Sequence, residues 1–487
     1  MSITLAECCL KSGDVRDVAA TSTIIPTTKD DGHLLLEECI RSCLPSNYNF
    51  EIKKTLTRLL GENVQHVALQ FPEGLLCFST QISLILRRFL PKMQVTIMGD
   101  VSYGACCIDD FTAKAIGCDF IVHYGHSCLV PVDVSLLRVL YVFVDILFDP
   151  QHLCETLKVN FIETDRLALM STIQYASTVH RLQQLLQKEA FFNNEPLIPQ
   201  ISPLTAGEVL GCTSPILLGK NSGDNKRIGT CGLSDQKSFS PSNVKALPTS
   251  PTNPTPHVEK SDQLNARNGS VLAETNCNLD YAIFVADGRF HLESAMIQNP
   301  QLPFYRYDPF TKVLLHESYD HAMLHSNRQR AIDIARHAES VCLIMGTLGR
   351  QGNTKIVENI QNLILRAGKV CFTLLLCEIL PDTLNKITNV GAFVQVACPR
   401  LSIDWGHCFN KPLLSPYESH VAFGGLAYQD IYPMDFYSAR GGAWTNYFKD
   451  NQLSRTATMA EDRRSLLRKR IADKKKHRLA MAVYEQN

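Results

Sequence analysis

Four short stretches hold the residues best equipped for chemistry. Residues 99–110 (GDVSYGACCIDD) place Cys106 and Cys107 after a Gly-Ala turn, directly behind a strand-like run. Residues 207–215 (GEVLGCTSP) place Cys212 among turn-formers rather than in the apolar run where a packing cysteine is at home. Residues 394–406 (VQVACPRLSIDWG) put Cys398 at the end of another strand-like run, with Pro399 to stop the ladder and Arg400 and Asp404 close by. Residues 346–353 (GTLGRQGN) space Gly346, Gly349 and Gly352 around Arg350, exposing backbone N–H groups in a nest suited to a carboxylate, a phosphate or a ribose. That spacing matches neither the Walker nor the dinucleotide-binding pattern. Taken singly, each cysteine is either a packing residue or a ligand, and both readings stand. His123 and His126 in HYGHSC are candidate metal ligands, with a hydrogen-bonded strand end as the plainer alternative. ADGRFHLES (286–294) and YRYDP (305–309) add polar groups at a further strand end.

The chain has 18 cysteines and no C-x-x-C pair, which removes zinc ribbons, knuckles and thioredoxin-type sites. The C-x3-C-x2-C loop of ordinary radical S-adenosylmethionine enzymes is begun at Cys39 and Cys43, but its third place holds Ser46. A metal held by cysteines must therefore gather them from distant parts of the chain. One strand-end cysteine falls in each of three α/β units. Three thiolates can hold a [4Fe–4S] cluster by three corners, leaving the fourth iron open to a substrate.

The elements that must position these residues form an α/β pattern. Short apolar, β-branched runs at 64–71, 95–98, 120–124, 139–144, 167–173, 281–285, 341–345, 371–375 and 392–396 alternate with helical stretches. Continuous apolar strands between helices predict parallel sheets covered on both faces. The expected organisation is a mobile leader over 1–45 and three α/β domains over 46–155, 156–300 and 301–440, with a basic tail over 441–487. Residues 221–277 hold five prolines and one aromatic, Phe239, and read as a disordered insertion in the second domain. Residues 463–478 carry nine Lys or Arg against Asp473, either a solvated tail or a contact for an RNA-rich or acidic partner.

Over 487 residues, 48 Lys plus Arg balance 48 Asp plus Glu, so a global basic field for gripping nucleic acid is excluded. The richest apolar stretch, 137–148, is broken by Arg138 and Asp145, short of the roughly 20 residues a bilayer span needs. The amino terminus meets Lys11 and Asp14 before a signal-peptide core could form, so a cytoplasmic protein with reduced thiols is expected.

The ordered blocks LPSNYNFEI, FPEGLL, GDVSYGACCIDDF, HYGHSC, YVFVDI, LGCTSP, DGRFHLES, YRYDP, GTLGRQG, VACPRLSIDWG, PLLSPYE and YPMDFY span about residues 44–437. In these the sequence resembles the 2-(3-amino-3-carboxypropyl)histidine synthase family of diphthamide biosynthesis, in its eukaryotic subunit 1 branch. The resemblance implies three homologous α/β domains around a central [4Fe–4S] cluster, with Cys106, Cys212 and Cys398 as its ligands. It implies transfer of the 3-amino-3-carboxypropyl group of S-adenosylmethionine to carbon 2 of a histidine imidazole in elongation factor 2. It further implies a heterodimer with a homologous subunit 2 and a small metalloprotein electron donor. The glycine nest (Gly346, Gly349, Arg350, Gly352) and Arg400 with Asp404 are the expected S-adenosylmethionine contacts. The competing readings are a non-catalytic scaffold subunit of the same complex and a nucleic-acid-binding protein acting through the tail. The absence of aromatic–basic interleaving counts against the latter.

Overall fold

The computed structural model describes residues 29–99, 107–130, 134–217, 219, 278–437, 441–446 and 448. Cys106, the 221–277 segment with Cys231, the first 28 residues and the tail beyond 448 lie outside the described residues.

Three four-stranded sheets form the body. In the first, the parallel strands run in the order Gln94–Met98, His66–Gln70, Phe120–Tyr124, Arg138–Val142. In the third the order is Val370–Leu376, Ser340–Gly346, Ala392–Val396, Leu413–Leu414, again parallel. Numbered within each unit, both sheets read 2-1-3-4. The second sheet runs Leu167–Ser171, Tyr281–Val285, Phe304–Asp308 in parallel, then Val313–Glu317 antiparallel. Parallel bridges from Leu197 to Ala168 and from Glu208 to Ser171 occupy its other edge, so the same order is repeated with a hairpin added.

Strands covered on both faces need apolar residues at consecutive positions, and these have them apart from His123, Ser171 and Gln395. Every residue of Phe120–Tyr124, Leu167–Ser171 and Ala392–Val396 is buried. The covering helices carry apolar residues at helical spacing. Ile52–Gly61 buries Ile52, Thr55, Leu56 and Leu59, and Thr354–Arg366 buries Ile356, Val357, Ile360 and Ile364. Asn353 caps the latter by accepting from the N–H groups of Lys355 (2.9 Å) and Ile356 (3.3 Å). Each fully buried aliphatic side chain contributes about 1.5–3 kcal/mol.

Three elements cross the expected bounds. Within residues 1–45, Lys29–Cys43 is a helix whose Leu36 and Cys39, with Leu44 after it, pack in the first core. Cys39 and Cys43 thus lie on a helix and open no metal-binding loop. The boundary at 155 falls inside the helix Gln151–Asn160, whose Leu153, Cys154 and Leu157 belong to the second core, together with Ile146. The boundary at 300 cuts the second sheet, which continues through Phe304–Asp308 and Val313–Glu317. In that hairpin the Lys312 N–H closes on the Asp308 carbonyl at 2.8 Å, with Lys312 at φ 57°.

Candidate metal centre

Cys398 follows the strand Ala392–Val396 and precedes the short helix Arg400–Trp405; it is 8% exposed. Cys212, 5% exposed, sits with Gly211 at the tip of a tight turn. There the Leu210 N–H donates to the Thr213 carbonyl (3.0 Å) and the Thr213 N–H to the Leu210 carbonyl (3.3 Å). A Cβ at Gly211 would collide with the Phe290 ring, which would have to move. The Phe436 N–H donates to the Cys212 carbonyl at 3.4 Å, and Gln298 Oε1 accepts from the Met434 N–H at 3.0 Å, so the segment before residue 437 straps the turn.

These thiols converge. Burial pushes the Cys212 thiol far up, and the nearby sulfurs of Cys398 and Cys107 push it further. Burial likewise raises Cys398 to about 11, against the opposing pull of the Arg400 and Leu401 N–H groups and the Arg400 charge. Without a metal both are neutral thiols, and a bound cation would displace their protons. Buried thiols from two different sheets, within electrostatic reach of each other, suit a thiolate-held cluster. Among the described residues no set of three His, Cys, Asp or Glu closes a complete metal site. Cys106, the third expected ligand, lies outside them. Its neighbour Cys107 is otherwise engaged: its Sγ stands 3.4 Å from the Tyr437 hydroxyl, and it hydrogen-bonds the Cys128 thiol.

Strand glutamines hold two of the cysteine loops. Gln70, the last residue of His66–Gln70, donates from Nε2 to the Cys107 carbonyl (3.0 Å), and its Oε1 accepts from the Asp109 N–H and from His123 Nδ1 (3.1 Å each). Gln395 Nε2 donates to the Cys398 carbonyl and lies on Ser402 Oγ, each at 3.0 Å. The sequence reading passed over both. Their signal was a lone amide in an otherwise apolar strand, as in VALQF and FVQV.

The residues expected to contact S-adenosylmethionine join the sheets. Gly349, at φ 52°, lies so close to the first unit that a Cβ would meet the Ile108 carbonyl oxygen at 2.9 Å, and Gly352 has no room for a Cβ beside the Gly346 carbonyl. Arg350 grips Asp110 through Nε (2.7 Å) and a terminal nitrogen (2.5 Å), donates to the Val134 carbonyl (3.0 Å), and lies 4.1 Å over the Phe111 ring. Arg400, 1% exposed, donates from Nε to both Asp404 oxygens (2.9 and 3.0 Å) and from a terminal nitrogen to Glu293 (2.6 Å). It also donates to the carbonyls of Gly211 (3.2 Å) and Phe290 (2.6 Å). One guanidinium thus links the Cys398 helix to the Cys212 turn.

The histidines lie at the same junction. Burial lowers His123 to about 3 and His126 to about 4, and His291 to about 3 with help from His126 and Arg400. The His126 and His291 rings stand 5.8 Å apart. All three are neutral at physiological pH. A cleft lined by Gln351, Val396, Pro399, Phe436 and Tyr437 flanks Cys398.

The family model for diphthamide synthesis proteins matches residues 71–237 and 233–433. Curated relatives called 2-(3-amino-3-carboxypropyl)histidine synthase subunit 1 are 45% identical over 83% of this chain and 75% of theirs in Dictyostelium discoideum, and 45% identical over 86% and 82% in Homo sapiens. The chain belongs to the 2-(3-amino-3-carboxypropyl)histidine synthase subunit 1 family. The crystal structure of Dph2 from Pyrococcus horikoshii with 4Fe-4S cluster shares the fold, with a TM-score of 0.56 at 19% identity over 80% of this chain and 93% of that one. No helix of the described residues is long and apolar enough to cross a membrane.

Proposed function

We propose that this chain is the catalytic subunit of a cytoplasmic transferase that moves the 3-amino-3-carboxypropyl group of S-adenosylmethionine to carbon 2 of a histidine imidazole in elongation factor 2, the first step of diphthamide formation. Cys106, Cys212 and Cys398 would hold a [4Fe–4S] cluster. Such a cluster supplies the single electron that splits the γ-carbon–sulfur bond and leaves a 3-amino-3-carboxypropyl radical. Overall the sulfonium becomes the neutral thioether of 5′-methylthioadenosine, the new carbon–carbon bond replaces the imidazole C2–H, and a proton is released. The sum is redox-neutral, so the electron is recovered.

The chain's own residues supply enclosure and orientation. Cys212 and Cys398 are withdrawn from solvent, and Arg400 fixes the turn of one against the helix of the other. Ligands drawn from separate sheets leave the sulfonium to be oriented by a cavity between units rather than by one C-x3-C-x2-C loop, and orientation decides which carbon–sulfur bond breaks. The single observation that carries the reading is Arg400, which ties the Cys398 helix to the Cys212 turn through the Gly211 carbonyl while both thiols are buried. The working assembly is a heterodimer with a homologous subunit 2, reduced by a small metalloprotein.

The test is anaerobic reconstitution with subunit 2 and elongation factor 2, iron counting, electron paramagnetic resonance, and chromatography of the nucleosides. The expected product is 5′-methylthioadenosine, with the 3-amino-3-carboxypropyl group on the factor. Mainly 5′-deoxyadenosine would refute the bond choice. A verified cluster with no nucleoside product would point to the scaffold reading instead.

A further inference from the structure

We infer that Gln70 and Gln395 are positioning residues for the cluster, an inference that rests on the reading above. Gln70 is 6% exposed and Gln395 0%, in strands whose other inward positions are apolar. A buried amide in such a place is costly unless its groups are paired. Gln70 pairs as a peptide would in a ladder: its N–H meets the Cys107 carbonyl and its oxygen the Asp109 N–H, bracketing Ile108. This fixes the amide orientation, because a flipped amide would set oxygen against oxygen at Cys107. The chain one residue after Cys106 is thereby tied to the central strand of the first sheet. His123 Nδ1, on the neighbouring strand, completes the acceptor side.

Gln395 works through its donor alone in the third sheet, its Oε1 being buried without a hydrogen-bond partner among the described residues. Its Nε2 holds the carbonyl of Cys398 itself and touches Ser402 in the following helix, so the turn between strand and helix is closed around the thiol. The two glutamines occupy different positions in their sheets, the first strand of one and the third of the other, yet each ends on a cysteine carbonyl. Neither touches a thiol. Their effect on a cluster would come through the direction in which the loop presents its sulfur, and groups that orient ligands in this way typically change metal affinity by roughly 10–100-fold.

The experiment uses the full chain with subunit 2. Gln70→Met and Gln395→Met keep the side-chain length and remove the amide. Gln183→Met removes an amide of the same kind, one that donates to the Pro196 carbonyl at 2.8 Å and bonds no cysteine-bearing loop. Each protein is reconstituted anaerobically, challenged with an iron chelator, and examined by electron paramagnetic resonance; a urea melt is run in parallel. The expected result is roughly 10-fold easier loss of iron, or altered g-values, in the two loop variants and not in Gln183→Met, beyond what any lowering of their urea midpoints accounts for. Rescue of the Gln70 phenotype by Gln70→His, which restores an N–H donor, would support the orienting role. Parental iron retention and parental spectra in both loop variants would overturn the inference, as would an equal change in Gln183→Met. A parent chain that takes up no cluster would instead bring down the functional reading beneath it.

Discussion

Arg350 and Asp110 give the sharpest quantitative test of how the first and third units are joined. The Asp110 carboxylate is fully buried and the Arg350 side chain 17% exposed. Two charge-assisted hydrogen bonds connect them, and Arg350→Met would remove both, together with the guanidinium's contact over Phe111. Removing one partner of a buried pair costs about 3–5 kcal/mol, because the other charge is stranded. Here the Leu136 N–H (2.6 Å) and the Ser135 hydroxyl (3.3 Å) still serve the carboxylate, so the lower end, about 3 kcal/mol, is expected. Asp110→Asn should cost about 2 kcal/mol, and the double variant little more than the worse single, giving a coupling of about 2 kcal/mol. Burial alone would push the Asp110 carboxyl up, but Arg350, the Leu136 N–H and Ser135 together bring it below its usual value. The stabilisation is therefore complete above the unfolded value of about 3.9 and is lost as the pH falls through the lower folded value. Equilibrium urea unfolding of the four proteins at pH 7 and in acid measures this. Additive single effects, with coupling under about 0.5 kcal/mol at pH 7, would refute the claim that this pair ties the units.

Three further outcomes are expected. Cys212→Ser and Cys398→Ser should each abolish the visible absorbance of a reconstituted cluster, whereas Cys107→Ser and Cys128→Ser should retain it; retention without Cys212 would overturn the ligand set. His123, 1% exposed and lowered to about 3, is neutral in the folded chain, so its share of stability is present in full above the unfolded value of about 6.5 and falls with pH by about 1.4 kcal/mol per unit below that. Urea midpoints of His123→Gln between pH 6.5 and 4.5 should show a slope shallower by that amount, and an unchanged slope would count against a buried neutral ring. Gly219 and Leu279 form a parallel bridge, so the chain on either side of residues 221–277 is already adjacent. Replacing that segment by a short Gly/Ser linker should leave the melting temperature nearly unchanged, as loop closure is a weak function of length, and a drop of many degrees would show that the segment supports the body.

The parallel sheets were legible because burial on both faces forces consecutive apolar residues. Phe120–Tyr124, Tyr281–Val285 and Ala392–Val396 appear at the positions the sequence pattern predicts. The elements it missed had weaker local signals. YRYDP read as polar groups at a strand end because Arg306 and Asp308 interrupt the apolar pattern, yet it forms a strand whose Arg306 is paired with Glu317 at 2.8 Å across the hairpin. The helix Lys29–Cys43 looked unpatterned because acidic and polar residues surround its stripe of Leu36, Cys39 and Ile40. In both cases a tertiary partner supplied what the local sequence lacked.

The site was legible in a different way, through residue types out of keeping with their surroundings. Cysteines among turn-formers and after strand ends drew attention to Cys212 and Cys398, and the structure brings these two together. The protein partners of the arginines were beyond the same logic. Besides Asp404, four residues from Arg400, Arg350 and Arg400 bond carboxylates and carbonyls of other units, more than a hundred residues away in sequence for Asp110, Gly211, Phe290 and Glu293. Sequence proximity cannot reveal such pairing. The buried charges of Asp110 and Arg400 are matched in this way, so the loops carrying the cysteines approach without leaving either ion unpaired. A site assembled from three sheets needs its loops held both to their own strands and to one another. Gln70 and Gln395 supply the first restraint and Arg350 and Arg400 the second; both kinds act on the segment after Cys106 and on the Cys398 loop, and Arg400 alone on the Cys212 turn.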